Sequence, residues 1–437
     1  MYGRRDLVDA HLFLRGRLSA AVLRSDPDAP DRPLRRTATG MAIGIAVAAG
    51  AMVVVVVLNI FLFTTNDAWR DQAGALLVDK ATGSRYLLID DTLHPVMNLT
   101  SAALLVGAPP AVIQVSSDDL ASVPRGAPVG VEGLPDELPA PQSGAPVWSA
   151  CAADGGTTLA IGGATDATPI GDGEAVLVRA PADDDADADA AAAADELTLV
   201  HDGTRSRLAG PWAARALGFE PSAAVDVDDA WLDTIPSGRD IDLSELTLGG
   251  AGPTIGGKPT TLGQLIEAKG EGGRYVVTES GLMPVTELVA ALLAAEQDHD
   301  LPKPRSLATR DLVATQITEA AAWQDELPAT PPTSIGADLA PCSVWADGAT
   351  TIATVDAASV ADAADTATVS PGAGLLASTA AAPGVRGAGL YLVSDDGTKY
   401  PVADTDTASA LGLDASSSPA VPAALLALLP TGPTIAK

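Results

Sequence analysis

The stretch Tyr391-Leu392-Val393-Ser394-Asp395-Asp396-Gly397, continuing to Tyr400-Pro401-Val402, reads as a strand, a polar turn and a second strand. Alternating apolar residues around Asp-Gly are a β-hairpin signal. The pattern recurs. Tyr86-Leu87-Leu88-Ile89-Asp90-Asp91 runs to His94-Pro95-Val96, and Tyr275-Val276-Val277 runs through Gly281 to Met283-Pro284-Val285. A degenerate copy, Leu197-Thr198-Leu199-Val200-His201-Asp202-Gly203, ends at Arg207-Leu208. Each hairpin precedes a small-residue helical stretch, such as Ala214–Gly218 or Ala410–Leu413. Three copies close on Pro and Gly: Val123-Pro124-Arg125-Gly126, Ile235-Pro236-Ser237-Gly238 and Leu429-Pro430-Thr431-Gly432. Tyr86 to Pro124 spans 38 residues, and Leu197 to Pro236 and Tyr391 to Pro430 span 39 each. The Tyr275 copy lacks that ending; its Leu288–Glu296 reads as a helix. Units this short cannot bury a core alone, so they must pack on one another or on a central region.

Outward from the repeats, Met41 to Phe63 is an uncharged run of 23 residues, interrupted only by Asn59. At 1.5 Å per residue it spans roughly 30 Å of hydrocarbon, so a transmembrane helix is expected. The basic stretch before it is too long for a signal peptide, and Phe63-Thr64-Thr65-Asn66 offers no small-residue cleavage site. Residues 1–40 carry eight arginines and five aspartates, leaving 18 basic and 51 acidic residues for the rest of the chain. Arg32, Arg35 and Arg36 crowd the start of the apolar run, so the positive-inside rule places the head in the cytoplasm and residues 64–437 outside.

An outside location changes the reading of Cys151 and Cys342, which sit in the mirrored settings Trp148-Ser149-Ala150-Cys151 and Cys342-Ser343-Val344-Trp345. In an oxidising compartment a lone pair defaults to a disulfide, the alternative being two separate buried thiols. Aromatic residues make up only 3% of the chain, so its cores rely on Ala, Val, Leu and Ile. The formal charge of −30 argues against nucleic acid as a partner. Four histidines and two cysteines are too few for a zinc or iron–sulfur centre, and no cofactor is expected.

Two motifs tempt a chemical reading. Gly252-Pro253-Thr254-Ile255-Gly256-Gly257-Lys258-Pro259 has the G-x-x-x-x-G-K spacing of a phosphate loop, which makes Lys258 a weak nucleotide-binding candidate. Pro259 replaces the Ser/Thr that would hold magnesium and removes a backbone N–H, and no helix-forming run follows. Asp185, Asp187, Asp189 and Glu196 fall at positions 1, 3, 5 and 12 of an EF-hand loop, but Ala190 stands where glycine is needed. The Ala/Asp segment 181–196 therefore reads as a solvated loop. No catalytic residue is singled out; His94 stands where Tyr400 stands in the last copy, which favours a structural aromatic role.

In the head, Leu7, His11, Leu14, Leu18 and Val22 share one helical face, with Arg4 and Arg5 at its start. Such a helix either lies on anionic lipid or docks on a cytosolic subunit.

The ordered features resemble the EccB family of actinobacterial type VII (ESX) secretion. The match is carried by Arg4-Arg5-Asp6, Ala10-His11-Leu12-Phe13, Gly16-Arg17-Leu18 and Arg35-Arg36-Thr37 in the head. Beyond the membrane run it is carried by Gly74-Ala75-Leu76-Leu77-Val78-Asp79-Lys80, the Tyr86 repeat, the Trp-flanked cysteines and the ending Pro422-Ala423-Ala424-Leu425-Leu426 to Pro433. The resemblance implies a core subunit of an inner-membrane secretion complex, built with an EccC-type ATPase, EccD and EccE, associated with a mycosin protease, and self-associating through its outer region. Some family members carry an ATPase label; the broken phosphate loop assigns hydrolysis to EccC instead. The alternative functions are a weak extracytoplasmic nucleotidase using Lys258 or a cell-envelope module whose repeats bind peptidoglycan. The expected architecture is a single-pass membrane protein: a basic amphipathic head (1–40), a transmembrane helix (41–63) and an α+β extracytoplasmic region (64–437). That region is expected to hold four hairpin/helix repeats at about 74–126, 196–238, 273–310 and 387–432. They would surround a disulfide-tied central domain at 147–180 and 239–385, with repeats at both ends.

Overall fold

The computed structural model describes residues 3–25, 35–63, 67–140, 144–153, 156–163, 166–180, 196–270, 272–297, 299–336, 338–361, 365–382 and 385–437. It divides into two compact units: Met1–Ala73 with Asp79–Gly83 and Ile113–Pro124, and Gly74–Val78 with Ser84–Val112 and Arg125–Lys437.

The smaller unit holds α1 (Arg4–Arg24) and α2 (Arg35–Phe63). On α1 the expected apolar face of Leu7, Leu14, Leu18 and Val22 is exposed, but so are Leu12 and Phe13, so the apolar surface is broader than one stripe. Within α2 the 19 residues Thr39–Val57 are long and apolar enough to cross a membrane, and none is buried. Its length and composition are consistent with a single membrane span.

The chain then runs β1 (Leu76–Asp79), β2 (Arg85–Ile89), β3 (Thr92–Pro95), α3 (Leu99–Val106), β4 (Val112–Val115) and α4 (Ser117–Ala121). After β5 (Trp148–Ala153), β6 (Gly156–Ile161) and β7 (Thr168–Pro169), this succession returns. It reappears as β8 (Glu174–Arg179), β9 (Leu197–His201), β10 (Thr204–Arg207), α5 (Pro211–Ala216), β11 (Val225–Asp226) and α6 (Asp229–Asp233). A third set is β12 (Leu265–Ala268), β13 (Arg274–Thr278), β14 (Gly281–Pro284), α7 (Glu287–Ala295), β15 (Arg305–Leu307) and α8 (Thr309–Val313). Then come β16 (Thr333–Ser334), β17 (Leu339–Ala346), β18 (Ala349–Asp356) and β19 (Ala367–Val369). The last set is β20 (Leu375–Ala382), β21 (Val385–Val393), β22 (Lys399–Val402), α9 (Thr405–Ala410), β23 (Ala420–Pro422) and α10 (Ala423–Ala427).

Modules two, three and four share one strand order: β10-β9-β8-β11, β14-β13-β12-β15 and β22-β21-β20-β23. Their first three strands are antiparallel and the fourth is parallel to the first. In module one, β1-β2-β3 form the same antiparallel ladder. In each module a residue beyond the second helix bridges back to the third strand: Leu93 to Arg125, Arg205 to Ser237, Leu282 to Ile317, Lys399 to Thr431. The second helix starts at Ser117, Asp229, Thr309 and Ala423, eight residues before that bridge in every module. First helices begin at caps: the side chains of Asn98, Thr286 and Asp404 accept backbone N–H bonds, and Pro211 opens α5.

Several expected boundaries are corrected. β8, β12 and β20, the first strands of modules two to four, lie within stretches assigned to the central domain or just before the expected repeats. Their short, mostly aliphatic sequences carry no mark that separates them from central strands, and pairing reveals their membership. The helices α5 and α9 start earlier than the alanine runs suggested, at their caps. The third module does have a closing segment: Leu282 donates to the Gln316 carbonyl and Thr318 donates to the Leu282 carbonyl. The same pair of bonds is made by Arg205 with Pro236 and Gly238, and by Lys399 with Pro430 and Gly432.

The central sheet has the order β19-β6-β5-β17-β18-β7. Modules two and three are inserted between β7 and β17. Modules two and three bury a shared core in which α5 packs on α7, with Leu199, Ala213, Ala214, Leu288 and Leu292 inside. The first and last modules, expected at opposite ends, pack together through α3 and α9, with Leu104, Ala408 and Leu411 in one core.

Candidate functional site

The strand pair β5–β17 is the junction of the larger unit. Cys151 stands opposite Cys342, and Trp148 opposite Trp345. Cys151 and Cys342 form a disulfide across 191 residues. Trp148 is fully buried and Trp345 nearly so. The face they share receives second helices from two modules. From α6 come Trp231, Leu232 and Ile235, and from α10 and its end come Leu425, Leu426 and Leu429, all in one core with Leu159, Ile161 and Ile352. The Trp231 indole Nε1 donates to the Ala150 carbonyl at 3.0 Å, and the Thr234 and Ser343 hydroxyls meet at 2.5 Å. This satisfies polar groups inside an apolar junction, where leaving them unpaired costs about 1–3 kcal/mol each.

One position separates the modules. Six residues before the bridge residue stand Trp231 in module two and Leu425 in module four, exposed by 0% and 1%. Modules one and three carry Asp119 and Asp311 there. The next residue, Leu120, Leu232, Leu312 or Leu426, is buried in all four. Leu232 and Leu426 join the junction core beside Trp231 and Leu425, whereas Leu312 lies in the core of module three itself. Sequence reading missed this position because its signal is a fixed offset from the closing segment, and no residue type recurs there.

The motif landmarks acquire physical reasons. Tyr86 pairs across the strands with Pro95, Tyr275 with Pro284 and Tyr391 with Pro401. In module two Thr198 faces Arg207 instead, at the end of the hairpin away from the Asp202-Gly203 turn. Gly397 sits at φ +81° in the last hairpin turn. The closing glycine is required by an aromatic ring: a Cβ on Gly126 would lie 2.3 Å from the His94 ring, and one on Gly432 would lie 2.3 Å from the Tyr400 ring. His94 thus fills the place of Tyr400, with Nδ1 also 2.9 Å from the Ala127 carbonyl. Module three sets Met283 and Thr318 at these places, so it needs neither the ring nor the glycine. Lys399 holds the end of α10, donating from Nζ to the Leu426 and Leu429 carbonyls at 2.6 and 2.9 Å.

Lys258 is not in a phosphate cradle. Ile255 and Lys258 exchange both backbone bonds around Gly256 and Gly257, whose φ values are +59° and +72°. This is a two-residue hairpin turn, so the Lys258 N–H is spent on Ile255, and no helix follows before α7. Ile255 is buried in the core of module three with Leu307 and Leu312. The aspartates of the calcium reading, Asp185, Asp187 and Asp189, lie outside the described residues; Glu196 pairs with Arg207. Among the described residues no group of three His, Cys, Asp or Glu side chains is placed to hold a metal ion. A cavity of about 510 Å³ beside the junction is lined by Trp345, Pro236, Pro422 and other small residues, with Asp347 and Arg386 as its only charges. The head residues Arg5, Leu7, His11, Leu14 and Leu18 all lie on α1 and are exposed; the Arg4 side chain lies outside the described positions.

Residues 2–437 match a family model described as Type VII secretion system ESX-1, transport TM domain B. The chain is 25% identical over 481 residues to the ESX-3 secretion system ATPase EccB3 of Mycolicibacterium smegmatis, covering 99% of this chain and 89% of the relative. It is 26% identical over 458 residues to the ESX-1 secretion system ATPase EccB1 of Mycobacterium tuberculosis, covering 97% and 91%. Among solved structures, a chain of an intact ESX-5 inner membrane complex superposes with a TM-score of 0.64 at 22% identity, covering 100% of this chain and 94% of that one. The EccB3 dimer from the ESX-3 core complex gives 0.63 at 23% identity, covering 83% and 98%. The likeness to these structures is one of fold. With the family model spanning nearly the whole length, the chain belongs to the EccB family of type VII secretion systems.

Proposed function

We propose that this chain is a structural core subunit of a type VII secretion inner-membrane complex. In this reading α1 lies in the cytoplasm, Met41–Phe63 crosses the membrane once, and residues 64–437 lie outside. The outer region is four copies of one unit arranged on a disulfide-tied central sheet. An EccC-type ATPase, EccD, EccE and a mycosin protease are its partners, and a second copy is its neighbour.

The observation that carries the reading is the junction itself. Its buried residues cross-link and seat modules, with Trp231 and Leu425 inside one apolar core. The relatives' names include ATPase, but the nearest approach to a nucleotide motif in this chain is the Gly256-Gly257 hairpin. We therefore assign energy supply to the ATPase partner.

A strain lacking the gene, complemented by the full chain or by a chain ending at Phe63, tests the role. The full chain is expected to restore a high-mass membrane complex. Equal restoration by the truncated chain would contradict a scaffold built on the outer region.

A further inference from the structure

Outside residue 40 the chain carries 18 basic and 51 acidic residues, so a basic surface there is unusual. One exists on module three. Lys258 at the tip of the Ile255 hairpin, Lys269, Lys303 and Arg310 are all exposed. Backbone and side-chain contacts gather them around β15 and α8. Arg305 donates to the Ile255 carbonyl at 3.1 Å, and a Cβ on Gly256 would lie 3.1 Å from Leu307 and 3.6 Å from Asp311. Lys269 donates its N–H to the Leu307 carbonyl at 2.9 Å. Among the described residues the acidic side chains in the neighbourhood include Glu267 on β12, exposed Asp300 three residues before Lys303, and Asp311, which pairs with Arg310 at 3.4 Å.

Two further features lie at the same place. Val313, at the end of α8, is 81% exposed; Ile317 lies farther off, bridged to β14 at the opposite edge of the sheet. β15 is an edge strand of its sheet. An edge strand offers main-chain pairing to an extended chain. A partly exposed apolar anchor ringed by one sign of charge selects a partner of the other sign. In modules two and four the corresponding helix is covered by the central sheet; here Asp311 replaces the Trp231 or Leu425 that would bury there.

We propose that this face of module three is a docking surface for an acidic, extended polypeptide. Its backbone pairs with β15, its carboxylates meet Lys258, Lys269, Lys303 and Arg310, and an apolar side chain seats on Val313. A polypeptide fits better than an anionic glycan because an extended backbone can continue the ladder of the edge strand while its alternate side chains carry both the charge and the apolar anchor. The inference rests on the geometry of module three alone and stands apart from the assembly reading.

The test is fluorescence anisotropy of a labelled Asp-Val-Asp-Val-Asp-Val-Asp-Val peptide against the full-length protein in nanodiscs. Polygalacturonate serves as the anionic glycan probe. The peptide is expected to bind with a steep loss at high salt. The triple variant Lys258→Glu, Lys269→Glu, Arg310→Glu is expected to weaken it by about tenfold or more, and Val313→Asp by a similar factor. All four positions are exposed, so the variants should melt with the parent chain, which a thermal scan checks. No peptide binding, or binding untouched by both variants, overturns the proposal. Glycan binding indifferent to Val313→Asp, with the peptide no tighter, overturns it in favour of a polyanion surface.

Discussion

Trp148 and Trp345 face each other directly across neighbouring antiparallel strands, three residues from the equally opposed Cys151 and Cys342. The register ties the two ends of a 191-residue excursion to one line of the central sheet. Modules two and three are built within that excursion, and the same strands seat the second helices of modules two and four.

Trp231 is the largest anchor of this junction. Trp231→Ala is expected to lower stability by about 3–5 kcal/mol, through lost packing and the unpaired Ala150 carbonyl. Trp231→Asp, which copies module three, should cost more, since it buries a carboxylate. Thermal unfolding of the full chain in detergent measures both. A loss no larger than that of an exposed-site control would remove the junction from the account.

The disulfide should matter through the length of chain it closes. Replacing Cys151 and Cys342 together by Ala is expected to cost about 2–5 kcal/mol, with the strands themselves still formed. Denaturant titration with and without reductant checks this: reductant should destabilise the parent and leave the double variant unchanged.

The closing glycines give a graded prediction. Gly432→Ala puts a Cβ 2.3 Å from the Tyr400 ring, while Gly238→Ala meets the Ser206 hydroxyl at 3.1 Å and the Thr204 side chain at 3.3 Å. Overpacking of the first kind costs about 1–3 kcal/mol, and the second should fall well below it. Tyr400→Ala should rescue Gly432→Ala in a double-mutant cycle. Additive losses would show that the ring is not what the glycine accommodates.

Acid should weaken the second module before the rest. Burial holds His201 below the usual histidine range, with Asp202 opposing that shift. A lowered folded pKa favours the neutral ring, so its stabilisation is complete above the unfolded value of about 6.5 and is lost as pH falls below it. Hydrogen bonds from Ser117, Thr407 and Ser416 respectively hold the carboxyls of Asp79, Asp404 and Asp414 below their ordinary value. Those contributions persist until pH drops below about 4. His201→Gln is expected to flatten the melting temperature between pH 7 and 5 and to leave the lower transition in place.

How much was legible depended on distance along the chain. The membrane run, the hairpins and the Tyr–Pro landmarks are local patterns, and each appears where its residues stand. The cysteine pair was legible through its compartment and its tryptophan settings. The insertion of two modules into the central sheet was not, because Trp148 and Trp345 meet across 197 residues that carry no local sign of it. The third closing segment was hidden for a chemical reason: with Met283 in place of a ring, Thr318 can replace glycine, and the motif vanishes while its hydrogen bonds stay.

The most direct test of the scaffold account is purification of the full-length protein from native membranes in mild detergent, with mass spectrometry and native sizing. The account predicts co-recovery of an FtsK/SpoIIIE-type ATPase and a multi-pass membrane protein in a particle of megadalton scale. Recovery as an isolated monomer or dimer, with neither partner present, would contradict it.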